Sequence, residues 1–341
     1  MAIWWIYPII ASFLLSLLLS DVGRSFGRRL GFLDRPAKPR KQHKGGISTL
    51  GGVAVFIAFS IVVLAVLLMT DHFTLGEISH NHFIGFLIGG FVLIVGGLVD
   101  DRYDLAPKYS ILFPVAAALL AAGFGIGVSK ITNPLGGFFE ISELLSFIVT
   151  FLWLLGVMYT TKLLDGLDGL AGGVSAIGML IVASLALSVA FYQPDVALLA
   201  LIGCAALVGF LVWNTHPASL FLGEGGSTLV GYMLAVMAVI AGSKIATTLL
   251  VVAIPLFDII FVVWDRKMAG HSVTKGDRRH LHQRLRDSGW SIQKVVWFYY
   301  IVALAFGLTT LIFESWQKLV ALVVLFAITF IVIRAVSIKK V

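Results

Sequence analysis

The chain carries few charged residues. Only 13% of its 341 residues are Asp, Glu, Lys or Arg, whereas 59% are hydrophobic and the mean hydropathy is +0.99. Soluble globular domains are about half apolar and about a quarter charged, so this composition excludes an ordinary soluble protein. The sequence therefore predicts an integral membrane protein.

Cysteine is nearly absent as well. The single cysteine, Cys204, lies inside an apolar run, which excludes a disulfide-stabilised scaffold. The sequence also lacks a low-complexity linker and any internal repeat beyond the short LDGLDGL echo. We therefore expect one membrane-embedded domain over residues 1–341, and the sequence leaves both a monomer and a homodimer open.

Long apolar runs are abundant. A helix needs about 20 apolar residues to cross a bilayer with its backbone groups satisfied. The runs predict an all-α, polytopic helical bundle of about 11 transmembrane helices. The first run lacks a basic start and a small-residue cleavage site, so we do not expect a cleaved signal peptide. The runs lie at 2–20, 49–70, 82–98, 109–128, 144–162, 170–190, 196–213, 227–242, 246–263, 295–313 and 318–334.

Lysine and arginine are unevenly distributed between these runs. With the amino terminus outside, cytoplasmic segments hold 22 of the 25, and only Lys130, Lys244 and Lys318 lie outside. The positive-inside rule therefore predicts a multi-pass inner-membrane protein with a cytoplasmic carboxyl terminus. A net charge of +7 would suggest nucleic acid as a partner of a soluble protein. Here the basic residues mark the cytoplasmic face, and we expect no nucleic acid partner.

Residues capable of chemistry cluster in five segments. All five fall on the predicted cytoplasmic side, whereas the acids of the other side are scattered. This asymmetry predicts one site that faces the cytoplasm. The segments are RKQHKGGISTLGG (40–52), DDRYD (100–104), KLLDGLDGLAGG (162–173), NTHPASLFLGEGGST (214–228) and DRRHLHQRL (277–285).

Two pairs of aspartates are candidate site residues. Asp100 and Asp101 are adjacent, so their carboxylates repel at the lipid edge unless a divalent cation compensates; a solvated helix end is the plain alternative. Asp165 and Asp168 are three residues apart and would share a face on a helical turn. Ordinary DG turns are the alternative for that pair.

The GEGGST segment predicts a glycine-rich loop before a helix, with Ser227 as a possible N-cap. Free backbone N–H groups and the positive helix end suit a phosphate. A plain turn explains the glycines equally well. Glu224 within the segment favours a metal ion beside the phosphate.

The DRRHLHQRL segment predicts a short helix that is capped by Asp277 and ends near Gly289, with Leu281 and Leu285 on its apolar face. An interfacial helix on an anionic leaflet is one interpretation. Binding of a diphosphate by the histidines and arginines is the other. The i, i+2 spacing of the histidines does not match the HExxH zinc pattern, so we do not expect structural zinc.

Together the segments describe a carboxylate-rich, Mg²⁺-dependent site at the membrane edge. Phosphoryl transfer from a soluble donor to a lipid acceptor accounts for acids, basic loops and position at once. The motifs DRPAKPRKQHKGGISTLGG, GGLVDDRYDL, DGLDGLAGG, FLGEGGSTLVGY, PLFD and DRRHLHQRL occur in that order. In this the chain resembles the polyprenyl-phosphate N-acetylhexosamine-1-phosphate transferases of glycosyltransferase family 4, relatives of phospho-MurNAc-pentapeptide transferase, from residue 34 to about 290.

The resemblance implies transfer of HexNAc-1-phosphate, with GlcNAc-1-phosphate as first choice, from a UDP-sugar to polyprenyl (undecaprenyl) phosphate. UMP is released, Mg²⁺ or alternatively Mn²⁺ is the cofactor, and the product begins a cell-envelope glycan such as teichoic acid or lipopolysaccharide. The implied catalytic residues are Asp100, Asp101 and Asp168; the metal ligands are Asp101 and Glu224; the substrate-binding residues are Lys44, Lys162, Asp165, Asn214, Arg278, Arg279, His280 and His282.

The sequence departs from the resembled pattern at two positions. Glu224 stands where the family has Asp, and Lys162 stands where it has Asn, three residues before Asp165. Metal geometry and the choice of sugar are the properties these changes affect most. In-line attack by the lipid phosphate and a covalent aspartyl intermediate are both open.

Two other functions fit part of the sequence. DDRYD also reads as DDxxD, the Mg²⁺-diphosphate motif of an intramembrane prenyltransferase, but that function leaves the GEGGST and His/Arg segments unexplained. A cation transporter would need acids near the bilayer midplane, where only Asp258 comes close.

Overall fold

The computed structural model describes residues 3–34, 46–73, 76, 78–128, 130–132, 138–189, 191–242, 245–268 and 280–338. A short 3₁₀ turn, Ile3–Trp5, leads into the first helix. Two antiparallel hairpins pair β1 (Leu33–Asp34) with β2 (Ile47–Ser48) and β3 (Lys130–Thr132) with β4 (Phe138–Glu140). The helices are α1 (Ile6–Leu30), α2 (Gly51–Met69), α3 (His80–Tyr103), α4 (Pro107–Ser110), α5 (Leu112–Gly123), α6 (Glu143–Leu164), α7 (Leu170–Ala186), α8 (Pro194–Asn214), α9 (Gly223–Ile240), α10 (Ile245–Val251), α11 (Ala253–Met268), α12 (Leu281–Asp287), α13 (Ile292–Thr309) and α14 (Ser315–Ile338).

Eight helices among the described residues are long and apolar enough to cross a membrane, or nine if α10 and α11 form one span bent by 76°. Two shorter apolar helices, Pro107–Gly123 and Leu170–Ala186, coincide with the fourth and sixth predicted runs. The prediction of an all-α membrane bundle is confirmed. The total of about 11 spans and the side of each terminus stay predictions.

Helix α9 forms the centre of the bundle. Within its apolar stretch 89% of the residues are buried, against 22% for α1 and for α14. It packs against α2, α3, α6, α7, α8 and α10. A helix that is apolar on all sides is enclosed in this way, while outer helices keep a face for lipid. The first turn of α9, which contains Glu224, consequently lies where several helix ends meet.

Paired glycines let α9 approach two neighbours closely. A Cβ added at Gly97 of α3 would lie 2.1 Å from the Cα of Gly225, and one added at Gly52 of α2 would lie 2.2 Å from the Cα of Gly226. Membrane helices pack through such small residues because lipid leaves them little hydrophobic driving force. The GEGG sequence thus brings the start of α9 against α2 and α3.

Polar contacts hold α8 against α1. The hydroxyls of Ser12 and Ser16 donate to the carbonyls of Ile202 (2.8 Å) and Ala206 (2.6 Å), and the indole N–H of Trp213 donates to α1 at the Leu17 carbonyl (3.1 Å). Hydrogen bonds between helices satisfy side-chain groups that water does not reach. They fix the carboxyl end of α8, which carries Asn214.

The two hairpins lie at opposite ends of the bundle. Ser48 in β2 bridges to Leu220, and its carbonyl accepts a hydrogen bond from the backbone N–H of Phe221 (2.8 Å). The chain that leads from α8 into α9 is therefore tied to the first hairpin. At the other end Lys130 in β3 pairs with Glu140 in β4, just before α6 begins.

Candidate active site

Acids from separate helices converge at the end of the bundle where α3 and α6 end and α9 begins, which we call the acidic end. The backbone N–H of Glu224 donates to Asp101 Oδ1 at 3.3 Å. Gly223 enters α9 at φ +77°, and a Cβ there would lie 2.6 Å from Asp101 Oδ2. Only glycine tolerates both the left-handed backbone and this close approach. The sequence thus positions the Asp101 carboxylate against the amino end of α9.

The GEGGST segment differs from its prediction. It is the first turn of α9 rather than a loop, and the predicted N-cap role of Ser227 is wrong, because the helix begins four residues earlier at Gly223. The Ser227 hydroxyl donates instead to the carbonyl of Glu224 (3.1 Å). The physical reason is that Gly225 and Gly226 pack against neighbouring helices. The local sequence, which is rich in glycine, does not reveal these contacts.

Asp100 lies in the last turn of α3 beside Asp101. Its Oδ1 accepts the backbone N–H of Leu105 (2.9 Å), and its carbonyl accepts that of Asp104, which turns the chain at φ +48°. Asp104 is therefore rotated out of the helix. A left-handed aspartate is tolerated because its short polar side chain suits that conformation.

Asp165 and Asp168 lie in the turn that joins α6 to α7. The prediction that they share a face of a helical turn is wrong, because residues 165–169 are not helical. Asp168 Oδ2 lies 2.6 Å from His216 Nδ1 and accepts the backbone N–H of Ala218 (3.1 Å). Tertiary contacts with the segment after α8 thus set the turn, not local spacing.

Asp165 is close enough to several other acids for their charges to affect its pKa. Burial raises the pKa of the Asp165 carboxyl well above its usual value, and the negative charges of Glu224, Asp168 and Asp101 raise it further. Acids from α3, from the α6–α7 turn and from α9 therefore share one electrostatic environment. Such a cluster needs added protons or cations.

Asn214 and Tyr300 hold the same turn in place. Asn214 Oδ1 accepts the backbone N–H of Gly169 (3.0 Å), and its Nδ2 donates to the carbonyl of Leu220 (2.9 Å). The Tyr300 hydroxyl of α13 donates to the Gly169 carbonyl (2.6 Å). Because both polar atoms of the buried Asn214 have partners within the chain, the geometry gives it a positioning role; contact with substrate stays a prediction.

Lys162 lies within the acid cluster. Its Nζ is 2.7 Å from Glu224 Oε2, with side-chain exposures of 27% for the lysine and 47% for the glutamate. Asp100, Lys162 and Glu224 line one small cavity together with Ser110, Gly225 and Thr228. The two positions at which the sequence departs from the resembled pattern therefore contact each other.

The histidine segment reaches the acidic end through α12. The predicted cap, Asp277, lies outside the described residues. Helix α12 begins at Leu281, and Asp258 of α11 accepts the Leu281 backbone N–H (2.8 Å). Asp258 also lies 3.0 Å from His280 Nδ1. A buried aspartate from a distant helix thus performs the capping, which sequence spacing around α12 does not reveal. Leu281 and Leu285 are buried, as predicted.

His282 packs against the α6–α7 turn. A Cβ added at Gly166 would lie 2.6 Å from His282 Nε2, so the glycine makes room for the ring. Burial, followed by the neighbouring His280, lowers the pKa of His282 to about 3. The two rings are parallel with centroids 5.9 Å apart. His282 is therefore neutral and holds the α12 segment against the turn; phosphate binding stays a prediction.

The structure brings together most of the predicted site residues. Lys44, Arg278 and Arg279 lie outside the described residues. Sequence reasoning missed His216, Asp258 and Tyr300 as site-positioning residues. His216 was visible within the NTHP segment, and Asp258 as an acid inside an apolar run, whereas nothing near Tyr300 signals its role. The predicted residues that meet at the acidic end or contact its turn are Asp100, Asp101, Lys162, Asp165, Asp168, Asn214, Glu224 and His282.

The donor chemistry of the acidic end fits a hard divalent cation. Mg²⁺ prefers oxygen ligands and is commonly held by one or two carboxylates, with waters and substrate phosphates completing its octahedron. Among the described residues no group of three or more His, Cys, Asp and Glu side chains forms an all-protein metal site. Asp101 and Glu224 are the predicted carboxylates for such a cation, and metal binding stays a prediction.

Comparison with known proteins covers the same region. A family model described as glycosyl transferase family 4 matches residues 83–242. The chain is 28% identical over 324 residues to the probable undecaprenyl-phosphate N-acetylglucosaminyl 1-phosphate transferase of Bacillus subtilis (strain 168), covering 93% of this chain and 87% of the relative. It is 30% identical over 321 residues to the decaprenyl-phosphate N-acetylglucosaminephosphotransferase of Mycobacterium tuberculosis (strain ATCC 25618 / H37Rv), covering 85% and 78%.

A second branch of relatives matches over a similar length. The phospho-N-acetylmuramoyl-pentapeptide-transferase of Halalkalibacterium halodurans is 28% identical over 340 residues, covering 90% of this chain and 97% of the relative. The span matched by the family model contains Asp100, Asp101, Lys162, Asp165, Asp168, Asn214 and Glu224.

Proposed function

Because the chain belongs to glycosyl transferase family 4, we propose that this phospho-sugar transferase of the membrane moves N-acetylhexosamine-1-phosphate from a UDP-sugar to polyprenyl phosphate. The products are polyprenyl-diphospho-N-acetylhexosamine and UMP. GlcNAc-1-phosphate is the preferred group, since two of the relatives described above are named for N-acetylglucosamine. The lipid acceptor is undecaprenyl phosphate or a close homologue.

One observation carries the proposal: acids from three separate parts of the chain meet at one end of a membrane bundle. The Asp101 carboxylate accepts the backbone N–H of Glu224, and the negative charges of Asp101 and Glu224 both raise the pKa of the Asp165 carboxyl. Carboxylates that come from separate helices are costly to gather at the membrane edge unless a cation neutralises their charge. A site at the lipid edge is accessible to a water-soluble nucleotide and to a lipid phosphate.

The reaction is an in-line displacement at phosphorus. An oxygen of polyprenyl phosphate attacks the sugar-bearing phosphorus of the UDP-sugar, and the bond from that phosphorus to the bridging oxygen breaks. The electron pair of this bond leaves with UMP. Positioning of both phosphates and neutralisation of their charge supply most of the catalysis in such transfers.

The residues of the chain divide these tasks. Asp101 and Glu224 would hold Mg²⁺, with Mn²⁺ as an alternative, and the metal would supply positive charge that offsets the charge of the phosphates. Asp100 or Asp101 serves as a base for the acceptor. His216 and Ala218 fix the Asp168 carboxylate from one side, which leaves its other side to the nucleotide.

The site opens to the cytoplasm in this proposal. All five chemistry-bearing segments lie on the side to which the lysine and arginine distribution assigns the cytoplasm. UDP-sugars are cytoplasmic, water-soluble substrates, so a site at this end meets both substrates without transport of the nucleotide. The product would begin a cell-envelope glycan.

Purified protein incubated with UDP-GlcNAc, polyprenyl phosphate and Mg²⁺ tests the proposal. We expect UMP release that requires the lipid phosphate and a chelator-sensitive metal. A panel of UDP-N-acetylhexosamines and UDP-MurNAc-pentapeptide separates the two branches of relatives. Absence of lipid-dependent UMP release with every donor, from protein that remains folded, would overturn the assignment.

A further inference from the structure

Lys162 and Glu224 form a close ion pair at the acidic end. The ammonium nitrogen and carboxylate oxygen are 2.7 Å apart, the length of a charge-assisted hydrogen bond. The two residues come from different helices, the last turn of α6 and the first turn of α9. The contact therefore depends on tertiary packing, not on local sequence.

The position of the ammonium matters because a metal would need the same carboxylate. Lys162 also interacts electrostatically with Asp100, which lines the same cavity. A positive charge thus lies between carboxylates of α3 and α9, in the region where a divalent cation would also be attracted. Two cations near one carboxylate repel each other strongly at this short range.

We infer that Lys162 is a resident cation of the site, which pairs with Glu224 and thereby weakens the binding of a divalent metal to the substrate-free protein. The inference rests on the proposed function only in taking this end of the bundle as the metal-binding site. It assigns one physical role to two departures from the resembled sequence pattern. Glu224 and Lys162 supply the carboxylate and the ammonium of one ion pair. The two departures are therefore coupled to each other.

A consequence is that a diphosphate and Lys162 act together. An incoming phosphate offers oxygens to the ammonium, which can then release Glu224 to the metal. Metal binding would accordingly be tighter with a nucleotide diphosphate present than without it. Lys162 is a positioning residue for the metal in this account.

Titration of purified, substrate-free protein with Mn²⁺, followed by electron paramagnetic resonance of the free ion, tests the inference. Lys162→Met should tighten Mn²⁺ binding by about tenfold, because it releases the Glu224 carboxylate from its ion pair. Glu224→Gln should weaken binding, and Lys162→Met in the Glu224→Gln background should bring no gain. Lys162→Gln serves as a second variant, and thermal unfolding of each protein verifies folding.

Lys130→Met is the matched control. Lys130 and Glu140 also form a lysine–glutamate pair, but at the opposite end of α6 and at 3.9 Å. This variant should bind Mn²⁺ as the wild type does. The inference is wrong if folded Lys162→Met and Lys162→Gln bind Mn²⁺ within twofold of the wild type, or if the gain persists without Glu224. Since the titration uses no donor or acceptor, its outcome is independent of whether UMP release is found.

Discussion

A lysine–glutamate ion pair lies near each end of α6, but the two pairs have different surroundings. At the acidic end Lys162 and Glu224 are 2.7 Å apart with side-chain exposures of 27% and 47%; at the other end Lys130 and Glu140 are 3.9 Å apart with exposures of 57% and 83%. The helix between them has 22 residues and spans about 33 Å, the thickness of a bilayer core.

The difference between these pairs is one of neighbours. Lys130 and Glu140 face each other across two short strands, and solvent screens them. Lys162 and Glu224 share their region with Asp100, Asp101 and Asp165. Residue type alone therefore does not make a site. Convergence of helix ends turns an ordinary pair into part of a charged cluster.

The largest effect should come from Asp101→Asn. The change keeps the side-chain shape but removes the charge that meets the amino end of α9, so we expect kcat for UMP release to fall by about 10³-fold. The melting temperature should not fall, because a carboxylate crowded by other acids is removed.

A buried acid at the opposite end gives the control for this variant. Asp195 is 3% exposed and accepts the backbone N–H of Ile78 (3.2 Å). Asp195→Asn should lower stability but keep UMP release within about threefold, since Asp195 begins α8 at the end away from the acidic end. Full activity of Asp101→Asn would show that this residue is not part of the site. The acidic end would then not differ from the other end in its effect on UMP release.

A smaller loss is expected from Asp258→Asn. The Asp258 carboxylate accepts hydrogen bonds from His280 Nδ1 and from the backbone N–H of Leu281. The amide of an asparagine keeps the contact with Leu281, but its N–H₂ group donates to His280 Nδ1. The imidazole then carries its proton on the other nitrogen. We expect the KM for the UDP-sugar to rise by about tenfold while kcat changes little. Asp265→Asn is the control. Asp265 is also in α11, and its carboxylate pairs with Arg284 of α12 at 3.5 Å, but its loss should leave both constants near wild type.

The pH dependence of stability should distinguish His282 from a histidine at the other end. The folded pKa of about 3 lies below that of an unfolded histidine, so the unfolded chain binds a proton first as pH falls. The contribution of neutral His282 to the free energy of unfolding is complete above pH ~6.5. Below that value it decreases by about 1.4 kcal/mol per pH unit. Thermal unfolding in detergent should show a melting temperature that falls by about 2 °C per unit between pH 6 and pH 4.

His282→Gln should reduce that acid sensitivity. His80→Gln, an exposed position at the start of α3, should keep it unchanged. Equal acid sensitivity in the wild type and in His282→Gln would mean that the imidazole is not buried in its neutral form. The Gln variant is preferred to an alanine because it fills part of the space beside Gly166.

The sequence predicted the position of the acids because lipid excludes charge. Asp100, Asp101, Asp165, Asp168 and Glu224 all follow or precede apolar runs, and helices of similar length place their ends on two surfaces. Such reasoning needs only hydropathy and chain direction. It therefore succeeded for the membrane bundle and for the convergence of the acids.

What the sequence could not reveal depends on contacts between distant segments. Gly225 at the start of α9 packs on Gly97 of α3, which accompanies the helical form of the GEGGST segment. The pairing of Lys162 with Glu224 follows from the separate packing of α6 against α9. The first backbone N–H of α12, that of Leu281, is bound by Asp258 from another helix. Local spacing carries no information about such partners.

The smallest effect is expected from Lys130→Ala. An exposed pair at 3.9 Å contributes little, so UMP release and melting temperature should stay within about twofold and about 2 °C of wild type. Lys130 is also one of the three basic residues that the positive-inside distribution leaves outside. A large loss of activity would mean that this end of α6 takes part in the reaction. The assignment of the acidic end to the cytoplasm would then be wrong, because both ends of a bilayer-spanning helix cannot contact one nucleotide.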